Sequence, residues 1–247
     1  MNEFIIDGVG IPFDNNAQSI AISLSGGADS ALLAYLLCEH IETNKLPIDV
    51  FVISHVRMWK TRPWQKYNQL DVYGWLLKRF YRNVHFTRYE NFIPPDIEWG
   101  NKGPTLIDEY GKESSGDIIE IRSFAEYICH QENIDVYYNA VTRNPRNVDF
   151  NGMEKRDIEA TEDNKYLRLT THMGRVAVHP FRFIEKSWVI KQYKDKDLTS
   201  LLDLTRSCEG DFEGINYLTY NVGDYVPLCN TCFWCKERKW ALEQNDM

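Results

Sequence analysis

The chain has 247 residues, enough to bury a sizeable core and in the range of one elaborated domain. Its 43% hydrophobic and 26% charged residues are the proportions of a globular protein, and a net charge of −8 excludes a global basic field that would draw in DNA or tRNA. There is no apolar run of about 18 residues to span a membrane, and residues 1–16 carry Glu3 and Asp7 where a leader would be basic, so a cytoplasmic setting with reduced thiols is expected.

In chain order, residues 20–24 (IAISL) read as a short buried strand and 31–41 as an apolar helix. Residues 48–56 (IDVFVISHV) form the second expected strand. Leu70, Tyr73, Gly74, Leu77 and Tyr81 then recur at helical spacing, and 84–89 (VHFTRY) is the third strand. Residues 90–115, with three prolines, Trp99 and Gly100, show no clear period. A helix over 117–131 leads to strand four at 135–141 (DVYYNAV), followed by an irregular charged stretch over 142–164. Strand five at 176–181 (VAVHPF) and a short helix over 186–193 complete the pattern. Strands alternating with helices predict an α/β fold, a Rossmann-like parallel sheet with helices on both faces. Ligands of such sheets bind at the carboxyl ends of the strands.

The chemistry concentrates in two places. Between the first strand and its helix lies SGGADS, residues 25–30. A strand-to-helix turn directs backbone N–H groups outward, where the helix dipole also favours an anion. Gly26 and Gly27 put no Cβ in the way, and Ser25 and Ser30 add hydroxyls. Such a loop suits a phosphate, and Asp29 beside it suits Mg²⁺, whose preferred ligands are carboxylate and phosphate oxygens.

The second place is the C-terminal part, where Cys208 precedes Cys229, Cys232 and Cys235 in a C-x2-C-x2-C arrangement. Four such thiolates close a tetrahedral shell around Zn²⁺, a structural site with no open position. The same spacing also fits a [4Fe–4S] cluster. Cys38 and Cys129, inside apolar helical patterns, read as buried hydrophobes. The expected organisation is a nucleotide-binding part at 1–195 and a four-cysteine metal-binding segment at 196–247 packed on it.

The loop resembles the Ser-Gly-Gly-x-Asp-Ser motif of the PP-loop ATP pyrophosphatases, which are adenine nucleotide alpha hydrolase-like, and every motif position is present. Together with LTRSC (204–208), the three late cysteines and Arg238, it is similar to the 7-cyano-7-deazaguanine synthase family of queuosine biosynthesis. Pro180 and Lys186 of HPFRFIEK match that family's Thr-Pro-Leu…Lys segment, and Asn139 its Gly-x-Asn segment. The resemblance implies an ATP-dependent ligase that adenylates the carboxylate of a small deazapurine, 7-carboxy-7-deazaguanine. Ammonia then displaces AMP, and a second adenylation drives dehydration to the nitrile.

It further implies that Leu24, Ser25, Gly26, Gly27, Ala28, Asp29 and Ser30 bind ATP, with Asp29 and Lys186 catalytic and Asn139 and Lys186 at the substrate. Cys208, Cys229, Cys232 and Cys235 would hold structural zinc, Mg²⁺ would accompany ATP, and dimers are expected. The alternatives are an amide-forming or other carboxylate adenylase, a PP-loop tRNA thiolase or sulfonucleotide reductase, or a non-catalytic nucleotide-binding assembly protein.

The chain departs from the family's pattern at ESSGDIIEIRS, where a Pro-x-Arg-Asn segment is usual, and at NAVTRNPRNVDF after Asn139. Both fall where substrate recognition is expected. RMWKTRPWQKYNQ (57–69) interleaves basic and aromatic residues, as a solvated helix entrance or a single-strand nucleic-acid contact would. Lys186 opens a helix, an unfavourable end for a cation unless a bound anion or adjacent Glu185 offsets it. His55, His85 and His179 have no catalytic spacing, and Trp99 would stack on a heterocycle or close a lid.

Overall fold

The computed structural model describes residues 2–57, 65–93, 105–107, 113–150, 169–170, 176–208 and 228–247. In chain order these form β1 (Asn2–Ile6), β2 (Val9–Phe13), β3 (Ser19–Ser23), α1 (Ala28–Asn44), β4 (Asp49–Arg57), α2 (Gln65–Phe80) and β5 (His85–Ile93). Next come β6 (Thr105–Ile107), β7 (Glu113–Ser115), α3 (Gly116–Gln131), β8 (Val136–Tyr138), β9 (Leu169–Thr170) and β10 (Val176–Val178). The described elements end with α4 (Lys186–Asp195), α5 (Thr199–Asp203) and α6 (Phe233–Glu243).

The main sheet runs β5-β4-β3-β8-β10-β9, parallel throughout except for the antiparallel edge strand β9. Counted along the parallel strands, this is the doubly wound order 3-2-1-4-5. Its switch point falls between β3 and β8, where Ile20 pairs with Val136 and Ile22 with Tyr138. In doubly wound sheets it is at this point that a crevice forms and ligands bind. The expected parallel α/β sheet is what the chain builds.

Period-2 alternation decides which residues meet which layer. Ile20, Ile22, Val50, Val52, Val136, Tyr138 and Val178 join one core with α1, α2, α4 and α5. Ala21, Phe51 and Ile53 turn to the other face, where Ala125, Ile128 and Cys129 of α3 cover them. Apolar along nearly its whole length, α1 is buried from Ala31 through Cys38, and it stops at Lys45 in the left-handed region (φ 51°). Cys38 and Cys129 are core residues, as expected. Among the described residues no helix is long and apolar enough to cross a membrane.

Strands four and five end sooner than expected, at Tyr138 and Val178, so Asn139 and His179 sit just beyond the sheet. The hairpin β1–β2 is an addition to the expected elements, although Asp7-Gly8 carries its turn signal: both residues have positive φ (48° and 77°), and Ile6 pairs with Val9. Within 90–115, Thr105–Ile107 pairs with Glu113–Ser115. Trp99, residues 58–64 of the basic aromatic stretch and residues 151–164 of the charged stretch lie outside the described residues.

Candidate nucleotide and metal site

The glycine loop leaves the carboxyl end of β3, at the switch point. Gly26 takes φ +79°, and a Cβ there would meet the Gln69 amide nitrogen at 3.0 Å and Asn68 Cβ at 3.1 Å. Only glycine fits, for conformation and for space. Two serines fix the turn: Ser30 Oγ donates to Gly27 O (3.1 Å) and accepts from Ser25 N (3.2 Å), and the two hydroxyls are 3.0 Å apart. Gly27 caps α1 without a side chain, leaving the helix's first N–H groups without intrahelical partners. Leu24, fully buried, anchors the strand end through its N–H to Ile53 O (2.9 Å).

Asp29 and Lys186, distant in sequence, meet. Lys186 Nζ donates to Asp29 Oδ2 at 2.5 Å and lies 3.8 Å from Glu237 Oε2. Lys186 is 1% exposed and Glu237 fully buried. The first residue of α4 therefore carries its charge away from its own helix end, to carboxylates on α1 and α6. Glu185 is not the group that offsets it: Glu185 Oε1 accepts from Arg146 N at 3.1 Å. Asp29 Oδ1 is shut from water and has no hydrogen-bond partner among the described residues. One carboxylate oxygen is thus held by the ammonium, and the other, beside the glycine loop, is a protein oxygen there that could serve as a ligand of a nucleotide-bound Mg²⁺. Beneath, the buried Tyr193 hydroxyl donates to Ala28 O (2.8 Å) and stays protonated, burial holding its pKa well above the usual value.

The four late cysteines also converge. Their sulfurs all lie within 4.8 Å of one another, with Cys208–Cys229 at 3.5 Å and Cys229–Cys235 at 3.8 Å. Bonds of ~2.3 Å to a tetrahedral Zn²⁺ place sulfurs about 3.8 Å apart, so the set fits a single ion. A four-iron cluster puts a separate iron behind each thiolate and asks for wider spacing. Backbone N–H groups of Cys229 and Cys232 point at Cys208 Sγ (3.4 Å) and Cys229 Sγ (3.3 Å). Burial opposes ionisation of Cys229, but hydrogen bonds from Cys232 and Thr231 outweigh it and lower its pKa. Burial pushes the Cys235 thiol up to about 11, and its hydrogen bond and charge interaction with Cys208 act in the same direction.

The two places are physically joined. Arg206 N donates to Gly26 O (2.9 Å), and Asn68 of α2 donates to Leu204 O (3.1 Å). Ser207 Oγ comes to 3.8 Å from the Cβ position of Gly27. Arg238 on α6 clamps the same segment from behind, through Thr205 Oγ1 (2.7 Å) and Leu202 O (3.0 Å). Residues 204–208 thus form a strut with one end on the loop and the other at Cys208. Asn139 stands at the end of β8, half-buried, its N–H donating to Val178 O (3.0 Å).

Glu237 is a site residue that the sequence conceals, because KERK looks like a solvated run. Its signal is helical: Phe233, Glu237 and Ala241 occupy one buried stripe of α6 at four-residue spacing.

No family model matches the chain, and no curated protein does. Among solved structures, the U34-tRNA thiolase NcsA from Methanococcus maripaludis with its [4Fe-4S] cluster is similar, at a TM-score of 0.46 and 14% identity. The match covers 94% of this chain and 66% of that one. The chain therefore spans just under two thirds of that structure's length, and a likeness at this level says nothing about substrate or metal.

Proposed function

We propose that the chain is an ATP-dependent adenylating enzyme that activates the carboxylate of a deazapurine for attack by ammonia. The observation that carries this reading is the meeting of Asp29 and Lys186 at a glycine loop on the sheet's switch point. The N–H groups at the start of α1, with Ser25 and Ser30, would hold the β and γ phosphates, and Mg²⁺ held by Asp29 would neutralise phosphate charge. Lys186 would lie beside the α-phosphate. As the substrate carboxylate attacks phosphorus there, the P–O bond to pyrophosphate breaks, and preorganised donors stabilise the departing charge. AMP then leaves when ammonia adds to the acyl carbon, since adenylate is a far better leaving group than oxide.

The cysteine spacing supports zinc as a structural ion. Its site would belong to a 196–247 segment that rests on the 1–195 nucleotide-binding part. All six cysteines are accounted for: four form the cluster, Cys38 is fully buried with its thiol pKa pushed up by burial, and Cys129 is 3% exposed. No thiol outside the cluster is placed to carry sulfur, which favours carboxylate activation over sulfur transfer.

The test incubates the protein with Mg-ATP, ammonia and 7-carboxy-7-deazaguanine, with products read by mass spectrometry. Nitrile or amide formed with stoichiometric pyrophosphate supports the reading. A sulfur-bearing product, or no product with authentic substrate and metal-loaded protein, contradicts it.

A further inference from the structure

Just past Asn139 the chain turns into TRNPRNVD, the stretch with no counterpart in the family pattern. It leaves β8 on the other side of the switch-point crevice from the glycine loop. Residues Arg143 to Asp149 line a cavity of about 500 Å³. A second cavity of about 320 Å³ is lined by the same Arg143 and Arg146 together with Phe183, Glu185, Ser187 and Trp188. The volumes suit a small molecule.

The backbone of this stretch is pinned. Arg143 N donates to Ile184 O (2.9 Å), Arg143 bridges Glu185 as in a parallel ladder, and Arg146 N donates to the Glu185 carboxylate (3.1 Å). Thr142 and Asn144 are buried on either side of Arg143. The side chains are left over: among the described residues neither guanidinium makes a hydrogen bond or an ion pair, although Asp149 and Glu185 line the same cavities. Arg143 Nε and Trp188 Nε1 are closed off from water with no acceptor there. In each cavity two guanidiniums stand against one carboxylate, an excess of donors that suits an anion, and a guanidinium matches a carboxylate or phosphate in planar, bidentate fashion. Phe183 and Trp188 add flat apolar surface.

Glu185 and Ser187, which line the second cavity, flank Lys186, whose ammonium touches Asp29 of the glycine loop. The first turn of α4 thus borders the cavity with two residues and reaches the glycine loop with the one between them, on a different side of the helix. We infer that Arg143 and Arg146 form the acceptor-substrate site, which takes an anionic group carried on a flat ring system. This rests on the adenylation reading for its purpose, though not for its binding chemistry.

Calorimetric titration of the full-length protein tests it with three probes: 7-carboxy-7-deazaguanine, 7-deazaguanine lacking the carboxylate, and guanosine 5′-monophosphate. The acid or the monophosphate should bind at least about 10-fold more tightly than the uncharged base. Whichever of the two binds identifies the anion as carboxylate or phosphate. Arg143→Met should weaken that binding about 10- to 100-fold, the range for hydrogen bonds to a charged group. Arg146→Met, at an exposed position where folding is safe, should weaken it in the same direction. Equal binding of charged and uncharged probes, or full affinity in both variants, would overturn the site. If both variants lose affinity but no pyrophosphate is ever formed, the adenylation reading fails and the site stands. If pyrophosphate forms and both variants keep the wild-type KM for the acid, the site fails and the adenylation reading stands.

Discussion

Replacing Lys186 with methionine keeps the length of the side chain and deletes its charge. In the native protein the ammonium lies 2.5 Å from Asp29 Oδ2 and 3.8 Å from Glu237 Oε2, with side-chain exposures of 2%, 16% and 0%. The variant takes away the cation that both poorly hydrated carboxylates meet. Breaking a buried pair in this way costs about 3–5 kcal/mol. For a chain of this size, 2–4 °C per kcal/mol turns that into a fall in Tm of roughly 6–20 °C. Adding Asp29→Asn to Lys186→Met removes the carboxylate that lost its hydrogen-bonded cation and should recover about 0.5–3 kcal/mol, the usual coupling between residues in contact. Thermal unfolding of the four proteins of this cycle, followed by circular dichroism, reads both numbers. A Tm within about 2 °C of wild type for Lys186→Met, or strictly additive effects in the cycle, would show that the ammonium does not hold these carboxylates together.

Gly26→Ala must hold an L-residue at φ +79° against the Gln69 backbone, so it should lose about 1–2 kcal/mol of stability and weaken ATP binding. Wild-type nucleotide affinity in that variant would show the loop to be an ordinary turn. Stripping the metal with a chelator should lower ATP affinity about fivefold or more, because the 204–208 strut links Cys208 to Gly26; calorimetry on loaded and stripped protein checks it, and equal affinities would dissociate the two sites. His179 is pushed down to about 4, first by burial and then by Arg182 and Arg122, from an ordinary value near 6.5. Its neutral form is native, so the unfolded chain binds the extra proton first and stability falls as pH drops from about 6.5 to about 4. The loss reaches at most about 3 kcal/mol. His179→Gln should flatten that part of the wild-type stability profile, and an unchanged slope would contradict the assignment.

What the sequence disclosed follows from how local each signal is. The parallel sheet announced itself through apolar strands alternating with helices, and the loop through six consecutive residues whose chemistry is legible without a fold. The cysteines were legible by spacing. Other features depend on contacts across the chain. Lys186 looked like a cation at a bad helix end with Glu185 as its neighbour, and only the packing of α1, α4 and α6 shows its real partners. Glu237 sits among Lys236, Arg238 and Lys239, whose charges mask a buried stripe. The arginines at 143 and 146 were visible as a departure from a pattern, but their shared cavity arises from the pinning of that stretch to Ile184 and Glu185, far along the chain.

A glycine loop that presents ATP for cleavage between its α and β phosphates leaves a signature in phosphorus NMR of Mg-ATP turned over by the metal-loaded protein with an acid substrate. AMP and pyrophosphate should appear in equal amounts, with both signals lost in Asp29→Ala. ADP with inorganic phosphate, or turnover that survives the loss of Asp29, would contradict that role of the loop.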